Sequence, residues 1–137
     1  ALLAPYEGAA AANGSGSLRM PADALTRLIG ELDRRGWQVM THAIGDAAVR
    51  ATLDAYEAAA ESNAAPERGR RHRVEHLEVA DPADLDRFAD LDVVASVQPA
   101  HGRPPAADDP WLVNLGPERA RRGWATGSLL EKGATVA

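Results

Sequence analysis

Two stretches, Thr41-His42-Ala43-Ile44-Gly45-Asp46 and Arg71-His72-Arg73-Val74-Glu75-His76-Leu77, each place a histidine at the end of a strand-like run. One strand-and-helix repeat separates His42 from His76. Neighbouring parallel strands lie about 4.8 Å apart, and their carboxyl ends meet at the same edge of a sheet. Neutral imidazole is a common ligand of zinc and similar cations. The two histidines can therefore reach a single metal ion.

The spacing of apolar residues alternates between helical and extended along the rest of the chain. Helical spacing runs over 21–35, 47–60, 82–89 and 117–132, and strand-like runs occupy 37–42, 72–77 and 93–98. The last residues, 133–137, indicate the start of another strand. Strands that alternate with helices predict parallel neighbours joined by crossovers, hence an α/β fold. Both an open doubly wound sheet and a barrel fit this order.

The strand faces favour the barrel. Strand alternation predicts three pairs of residues on inward faces: Met40 with His42, Val74 with His76, and Ser96 with Gln98. A dinucleotide-binding sheet would instead carry a glycine-rich turn after its first strand, and none follows His42. An eight-stranded barrel takes about 250 residues. We therefore predict one partial domain over 1–137, part of a (β/α)8 TIM barrel, with a loop or lid at 1–20 and βα repeats at 21–137.

Composition limits the classes of partner and ligand. The 15 basic and 20 acidic residues give a net charge of −5, and the basic residues are scattered, which argues against nucleic acid as a partner. The sequence shows no apolar run long enough for a membrane span and no secretion signal, so we expect a soluble, cytoplasmic protein. Because the chain has no cysteine, a metal site must use histidine or carboxylate ligands.

Three successive stretches resemble signatures of the amidohydrolase superfamily. They are residues 42–48 (His-Ala-Ile-Gly-Asp-Ala-Ala), 71–76 (Arg-His-Arg-Val-Glu-His) and 96–101 (Ser-Val-Gln-Pro-Ala-His). The chain is more narrowly similar to amidohydrolase family 3, which includes N-substituted formamide deformylase. The resemblance extends to residues 1–6 and 115–120 and so covers almost the whole sequence.

The resemblance implies a metal-dependent hydrolase that cleaves the C–N bond of a small-molecule amide, formamide or cyclic amide. His42 and His76 would be metal ligands ending the fifth and sixth strands of the barrel, with one or two divalent ions, expected to be zinc, in the complete enzyme. The family's first-strand His-x-His pair and its catalytic aspartate have no counterpart in this sequence. Its bridging lysine has none either, because the single lysine, Lys132, lies in the predicted closing helix. The chain thus resembles strands five to seven alone.

Other polar residues near the strand ends are candidates for supporting roles. Asp46 and Glu75 would either orient the metal-binding histidines, since such ligands usually donate their second ring N–H to an acceptor, or have no role at the site. Gln98 at a strand end would face the substrate, or else pack in the core. His101, in the loop that follows, would contact substrate or face solvent. We interpret His72, lower on its strand, as structural.

Two alternatives remain open at this stage. A half-barrel exposes two strand edges, so the chain is expected to associate with a second copy or with the remainder of the barrel. The first alternative to an enzyme is a non-catalytic half-barrel that pairs with a second copy through these edges and binds no metal usefully. The second alternative is a metal-dependent esterase or phosphotriesterase-type barrel, which would bind its metal through the same kinds of ligand. Only substrate profiling separates it from an amidohydrolase.

Overall fold

Three short parallel strands form the sheet that carries the histidines in the computed structural model, which describes residues 1–102 and 108–137. The strands are β1 (Met40–Ala43), β2 (Arg73–His76) and β3 (Val94–Val97), in the order β1-β2-β3. Six α-helices are described: α1 (Ala22–Arg34), α2 (Asp46–Ser62), α3 (Asp86–Asp90), α4 (Pro110–Leu115), α5 (Pro117–Ala120) and α6 (Thr126–Glu131). Three 3-10 helices span Gly8–Asn13, Pro82–Asp84 and Pro99–His101. The predicted α/β class is confirmed.

The end of the chain adds the beginning of a fourth strand, as predicted. Val136 bridges Ala95 of β3 in parallel, Ala95 N–H donates to the Thr135 carbonyl at 2.8 Å, and Ala137 N–H donates to the Ala95 carbonyl at 2.9 Å. Because strand follows strand in one direction around the sheet, this arrangement is consistent with part of a TIM barrel.

Helix α1 shows how the sequence sets its boundaries and its packing. Pro21 lies immediately before the helix, where its missing N–H costs nothing. Gly36 takes a φ of 76° and ends the helix, with its N–H donating to the Asp33 carbonyl at 2.7 Å. Ile29 of α1 is buried in the main core, and α1 packs against α2.

The main core lies between the sheet and helices α1 to α3 and includes Ala134 near the end of the chain. Its largest fully buried side chains come from several elements: Ile29, Leu53, Tyr56, Leu77, Phe88 and Leu129. A second, smaller cluster of Leu2, Val79 and Leu115, with Tyr6 and Trp111 packed on it, lies beyond the carboxyl ends of the strands. No helix in the described ranges is long and apolar enough to cross a lipid bilayer.

Several element boundaries differ from the sequence-based predictions. The predicted loop or lid over 1–20 contains a 3-10 helix. Residues 110–115, for which no helix was predicted, form α4, and at its N-cap Trp111 N–H donates to the Asp109 carboxylate at 2.8 Å. The predicted closing helix over 117–132 is interrupted between α5 and α6. There Gly123 bridges Val79, and Trp124 has a φ of 48°. Part of the segment between the predicted strand at 93–98 and the predicted helix at 117–132 lies outside the described residues.

A buried polar network lies at the amino ends of the strands, opposite the two strand-end histidines. Asp33 of α1 is 3% exposed and accepts three hydrogen bonds. Its donors are Arg70 Nε at 2.9 Å, His72 Nε2 at 3.0 Å and Asn63 Nδ2 at 2.9 Å. The network joins α1, the end of α2 and the segment that leads into β2, which gives His72 the structural role expected of it.

The second ring nitrogen of His72 settles its tautomer. Val39 N–H donates to His72 Nδ1 at 3.1 Å, so the proton of the neutral ring lies on Nε2, facing Asp33. Burial lowers the pKa of His72 below its ordinary value of 6.5. The charges of Arg70 and Arg68 act in the same direction, and Asp33 opposes them without prevailing.

The chain is therefore expected to lose stability on mild acidification. The unfolded chain takes up a proton at His72 near pH 6.5, whereas the folded chain does so only at lower pH. The free energy of unfolding should thus be insensitive to this group above about pH 7.5 and should fall by up to about 1.4 kcal/mol per pH unit below about pH 6.5. Urea denaturation at a series of pH values, from above 7.5 to below 6.5, measures the slope. The His72→Gln variant keeps an acceptor for Val39 and a donor for Asp33 but cannot titrate, and an equal slope in this variant would contradict the prediction.

Candidate metal centre

The carboxyl ends of β1 and β2 bring His42 and His76 together. The two strands pair in parallel, with His42 opposite Glu75 and Ala43 opposite His76. His42 Nδ1 lies 2.7 Å from His76 Nε2, and the ring centroids are 4.7 Å apart. The structure thus places the two predicted ligands in contact at the end of the sheet where barrel enzymes carry their reactive groups.

The two side chains reach each other in a way that simple alternation does not predict. Residues opposite each other in a parallel sheet point to the same face, so Glu75, and not His76, shares the face of His42. Val74 is fully buried in the main core. The prediction that Val74 and His76 face inward together was therefore wrong for β2, whereas Met40 with His42 do share a face of β1.

His76 reaches His42 because the backbone turns sharply at the end of β2. His76 has a φ of 82° and Leu77 a φ of 51°, both in the left-handed region that non-glycine residues rarely occupy. This turn carries the His76 imidazole away from the helical layer and against His42, while Leu77 returns to the core with 2% exposure. Backbone strain of this kind is commonly found where function requires a particular side-chain direction.

The donor set fits two ligands of a divalent cation. A tetrahedral ion with bonds of about 2.0–2.1 Å holds two imidazole nitrogens about 3.3 Å apart, so a small outward movement of one ring would admit it between His42 Nδ1 and His76 Nε2. His76 Nδ1 is buried and has no hydrogen-bond partner among the described residues. Within residues 1–102 and 108–137, no cluster of three potential ligands forms. The chain therefore offers half of a typical ligand set.

Glu75 lies on the inner face, in register with His42. Arg73 Nε donates to one carboxylate oxygen at 2.7 Å, and Ser96 Oγ donates to the other at 2.7 Å. Burial opposes ionisation of Glu75, but these hydrogen bonds outweigh it, so the pKa of Glu75 lies below its ordinary value. Glu75 thus remains a carboxylate near His42, and its predicted support of the ligands stays a prediction, because its own hydrogen bonds go to Arg73 and Ser96.

Asp46 has a different set of partners from the predicted one. Its Oδ1 accepts hydrogen bonds from Leu3 N–H at 2.8 Å and Ala47 N–H at 3.0 Å. The side chain is buried at the first residue of α2, where the helix dipole favours a carboxylate. Asp46 therefore anchors the amino-terminal segment beside the histidine pair, and neither of its hydrogen bonds reaches His42 or His76.

His101 and Gln98, the two candidate substrate contacts, follow β3 at the same end of the sheet. The His101 ring stacks on His76 with centroids 6.2 Å apart and planes within 11°. Its Nδ1 lies 3.7 Å from Glu78 Oε1. Gln98 Oε1 is buried without a hydrogen-bond partner in the described part of the chain. The structure brings His101 to the histidine pair and leaves Gln98 with an unused acceptor.

Sequence reasoning overlooked Glu78. It follows β2 two residues after His76, and its carbonyl accepts a hydrogen bond from Trp124 N–H at 2.9 Å. The signal in the sequence that could have identified Glu78 was its position as a carboxylate two residues after the predicted ligand His76. Trp124 also lay outside the predicted site, and its indole Nε1 is a third buried atom without a described partner.

Comparison with known proteins identifies the family. The whole chain, residues 1–137, matches the model of the amidohydrolase family. The chain belongs to the amidohydrolase family. This confirms the resemblance at the family level, and the narrower likeness to N-substituted formamide deformylase stays a prediction.

Individual relatives of this amidohydrolase chain are much longer proteins. Protein LONG AFTER FAR-RED 3 of Arabidopsis thaliana is 40% identical over 119 residues, which cover 86% of this chain and 20% of the relative. Putative amidohydrolase YtcJ of Bacillus subtilis is 33% identical over 116 residues, or 84% of this chain and 20% of the relative. The chain thus spans about one fifth of the curated relatives that it matches.

Two solved structures share its fold. An uncharacterized metal-dependent hydrolase from Pyrococcus furiosus superposes with a TM-score of 0.78 at 29% identity, over 99% of this chain and 26% of that one. An uncharacterized metal-dependent hydrolase from Pyrococcus horikoshii gives a TM-score of 0.73 at 28% identity, over 99% of this chain and 25% of that one. The β1-β2-β3 unit with its helices therefore matches about a quarter of each hydrolase chain.

Proposed function

We propose that this chain supplies strands five to seven of a (β/α)8 barrel that hydrolyses a C–N bond in an amide, formamide or cyclic amide. The observation that carries the proposal is the contact of His42 Nδ1 with His76 Nε2 at the carboxyl ends of adjacent parallel strands. Family membership and the likeness to two metal-dependent hydrolases support it. Within the family, an N-substituted formamide is the substrate class that we favour.

The chain's own residues have separate proposed roles at this end of the barrel. His42 and His76 would hold a divalent cation, with zinc expected from two imidazole ligands. When bound, such an ion supplies a water of lowered pKa and polarises the scissile carbonyl. Glu75, in register with His42, would lie beside the cation with its carboxylate held by Arg73 and Ser96. His101, stacked on His76, and Gln98, with its unused acceptor, would orient the substrate. The remaining barrel strands would provide the other ligands and the catalytic aspartate and lysine.

Metal content and hydrolysis of the complete barrel that contains this chain test the proposal. We expect the purified protein to carry one or two divalent ions, to lose amide hydrolysis on chelation and to regain it with zinc. The His42→Ala variant should lose both metal and activity because it lacks a ligand. His101→Ala is the matched control, since it removes an imidazole that stacks on His76 and is not a proposed ligand, and its metal content should be unchanged.

The same experiment separates the alternatives. Unchanged metal content in His42→Ala would overturn the proposed ligand role. A protein that holds no metal and self-associates would indicate a non-catalytic half-barrel, for which the exposed Trp37 and Met40 beside the unpaired edge of β1 offer a contact surface. Hydrolysis of esters or phosphotriesters with no turnover of amides would instead indicate the other class of metal-dependent barrel.

A further inference from the structure

A buried arginine, Arg119 of α5, has no role in the metal centre described above. Only 10% of its side chain is exposed. Its guanidinium donates hydrogen bonds to three backbone carbonyls, those of Leu115 at 2.7 Å, Ala4 at 2.7 Å and Pro5 at 2.6 Å. The carboxylate of Glu7 lies farther away, at 3.7 Å. Because arginine stays charged in proteins, these carbonyl oxygens stabilise a buried cation.

Two of the three carbonyls belong to the start of the chain, residues 1–7, which we term the amino-terminal strap. Leu2 is the buried residue of the strap, and the other six are half-buried or exposed. With so little apolar surface removed from water, hydrogen bonds account for most of its attachment. Arg119 donates two of them, and Glu7 N–H donates another to the Asn114 carbonyl at 2.7 Å. Arg119 therefore joins the strap to α5.

The beginning of the strap contacts the turn that follows β1. Leu3 N–H donates to Asp46 Oδ1 at 2.8 Å, so the strap is bonded to the first residue of α2. The Ala1 carbonyl lies directly against Gly45, where an added Cβ would overlap it. Both contacts involve consecutive residues at the junction of β1 with α2. The position of this turn therefore depends on the strap.

The same turn influences where the His42 imidazole lies. It begins two residues after His42, and Ala1, Ile44 and His42 line one shared cavity of about 340 Å³. Ligand groups in a metal centre must be held within about 0.5 Å of their productive positions. The direction of His76 is set by its own backbone, with a φ of 82°. The alignment of the pair therefore depends on how firmly the end of β1 is held.

We propose that Arg119 is a positioning residue for the metal centre: it holds the amino-terminal strap, and the strap fixes the turn that directs His42 towards His76. The inference rests on the proposed function and goes beyond it, since Arg119 acts without being a metal ligand. The planar guanidinium suits this role because it bonds two successive carbonyls, those of Ala4 and Pro5, at once. Loss of these bonds should free the strap and leave the sheet folded.

Thiol labelling of the 137-residue chain measures release of the strap, because the chain has no cysteine of its own. Leu2→Cys places a buried thiol in the strap, and Val74→Cys places one in the main core. Arg119→Ala should raise the rate at which N-ethylmaleimide labels the Leu2→Cys thiol at least tenfold, and the rate at Val74→Cys less than threefold. An equal rise at both thiols would show that Arg119 stabilises only the fold as a whole, and would overturn the inference.

NMR of the histidine rings in the same chain measures the position of His42 without metal or turnover. The chain has four histidines, so the ring signals are few, and a His42→Gln spectrum assigns the one that matters. The unaltered chain should show a nuclear Overhauser effect between the His42 and His76 rings, whose centroids lie 4.7 Å apart. Arg119→Ala should weaken this effect at least threefold and leave the ring signals of His72, in the network around Asp33, unchanged.

Two further variants serve as control and second test. Arg121→Ala removes a nearby arginine whose side chain is 70% exposed and pairs with Glu118, and it should alter neither the labelling nor the Overhauser effect. Arg119→Lys keeps the cation but lacks the planar fork. It should raise the labelling of Leu2→Cys at least threefold, and it provides the test if Arg119→Ala does not fold. Failure of both Arg119 variants to fold would assign Arg119 to the fold alone and overturn the inference.

A freed strap with an unchanged Overhauser effect would also overturn the inference, because the strap would then not direct His42. In the complete barrel, Arg119→Ala should weaken zinc binding about tenfold, as expected for a residue that supports a ligand. Failure here is distinguishable from failure of the proposed function. If the barrel holds zinc and the Overhauser effect does not depend on Arg119, only this inference fails. If the effect depends on Arg119 but the barrel holds no metal, only the proposed function fails.

Discussion

Replacing His76 with alanine or with glycine should weaken zinc binding by the complete barrel at least about a hundredfold, because loss of a ligand exceeds the 10–100-fold cost of losing a residue that merely supports one. The two variants should nevertheless differ in stability. We expect the glycine variant to be more stable than the alanine variant by about 1 kcal/mol. Zinc titration measures the first effect, and urea denaturation of the 137-residue chain measures the second.

The stability difference follows from the backbone at the end of β2. A non-glycine residue in the left-handed region destabilises the folded state by about 1–2 kcal/mol, and glycine there is hardly destabilising. At φ 82° position 76 therefore favours glycine, against the usual order in a strand, where glycine is less stable than alanine by about 0.5–1 kcal/mol. The protein keeps a histidine at a position where its backbone is strained, which we interpret as a cost of turning the imidazole towards His42.

Position 75 provides the matched control, because it lies one residue earlier in the same strand and does not have a positive φ. There the Glu75→Gly variant should be less stable than Glu75→Ala. If glycine were the less stable choice at both positions, the backbone at His76 would not be strained and the account of its direction would fail. Zinc affinity unchanged in either His76 variant would remove His76 from the ligand set.

Periodicity and strand-end chemistry predicted the α/β class, the strand order along the chain and the His42–His76 contact. They did so because apolar spacing and the geometry of parallel strands are local properties of the sequence. The orientation of β2 was mispredicted for an equally physical reason. Alternation assumes an extended backbone throughout the strand. The left-handed backbone at His76 reverses the direction of one side chain, and the spacing of apolar residues does not reveal it.

Long-range contacts account for the other differences. The break between α5 and α6 depends on Val79 pairing with Gly123 and on Trp111 occupying the space above that glycine. Likewise, the Asp46 carboxylate accepts a hydrogen bond from Leu3 N–H, which lies 43 positions away in the chain. Neither contact is encoded in the spacing of neighbouring residues.

Replacing Asp33 with alanine is expected to destabilise the chain by about 3–5 kcal/mol, a large share of the stability of an ordinary domain. The buried carboxylate accepts from Arg70, His72 and Asn63. Its removal leaves the Arg70 guanidinium, with only 13% of the side chain exposed, without its charged partner. An unpaired buried charge and unsatisfied donors cost more than the original pair contributes. Urea denaturation at pH 7.5, where His72 is neutral, measures the change.

An exposed ion pair on the same helix gives the control. Asp23 pairs with Arg27 at 2.7 Å, but about 70% of each side chain is exposed, and Asp23→Ala should destabilise the chain far less than Asp33→Ala. An equally small loss for Asp33→Ala would show that water replaces the carboxylate in the network. A large loss would show that the network at the amino ends of the strands contributes strongly to the stability of the sheet. That stability offsets the strained backbone of His76 at the carboxyl ends.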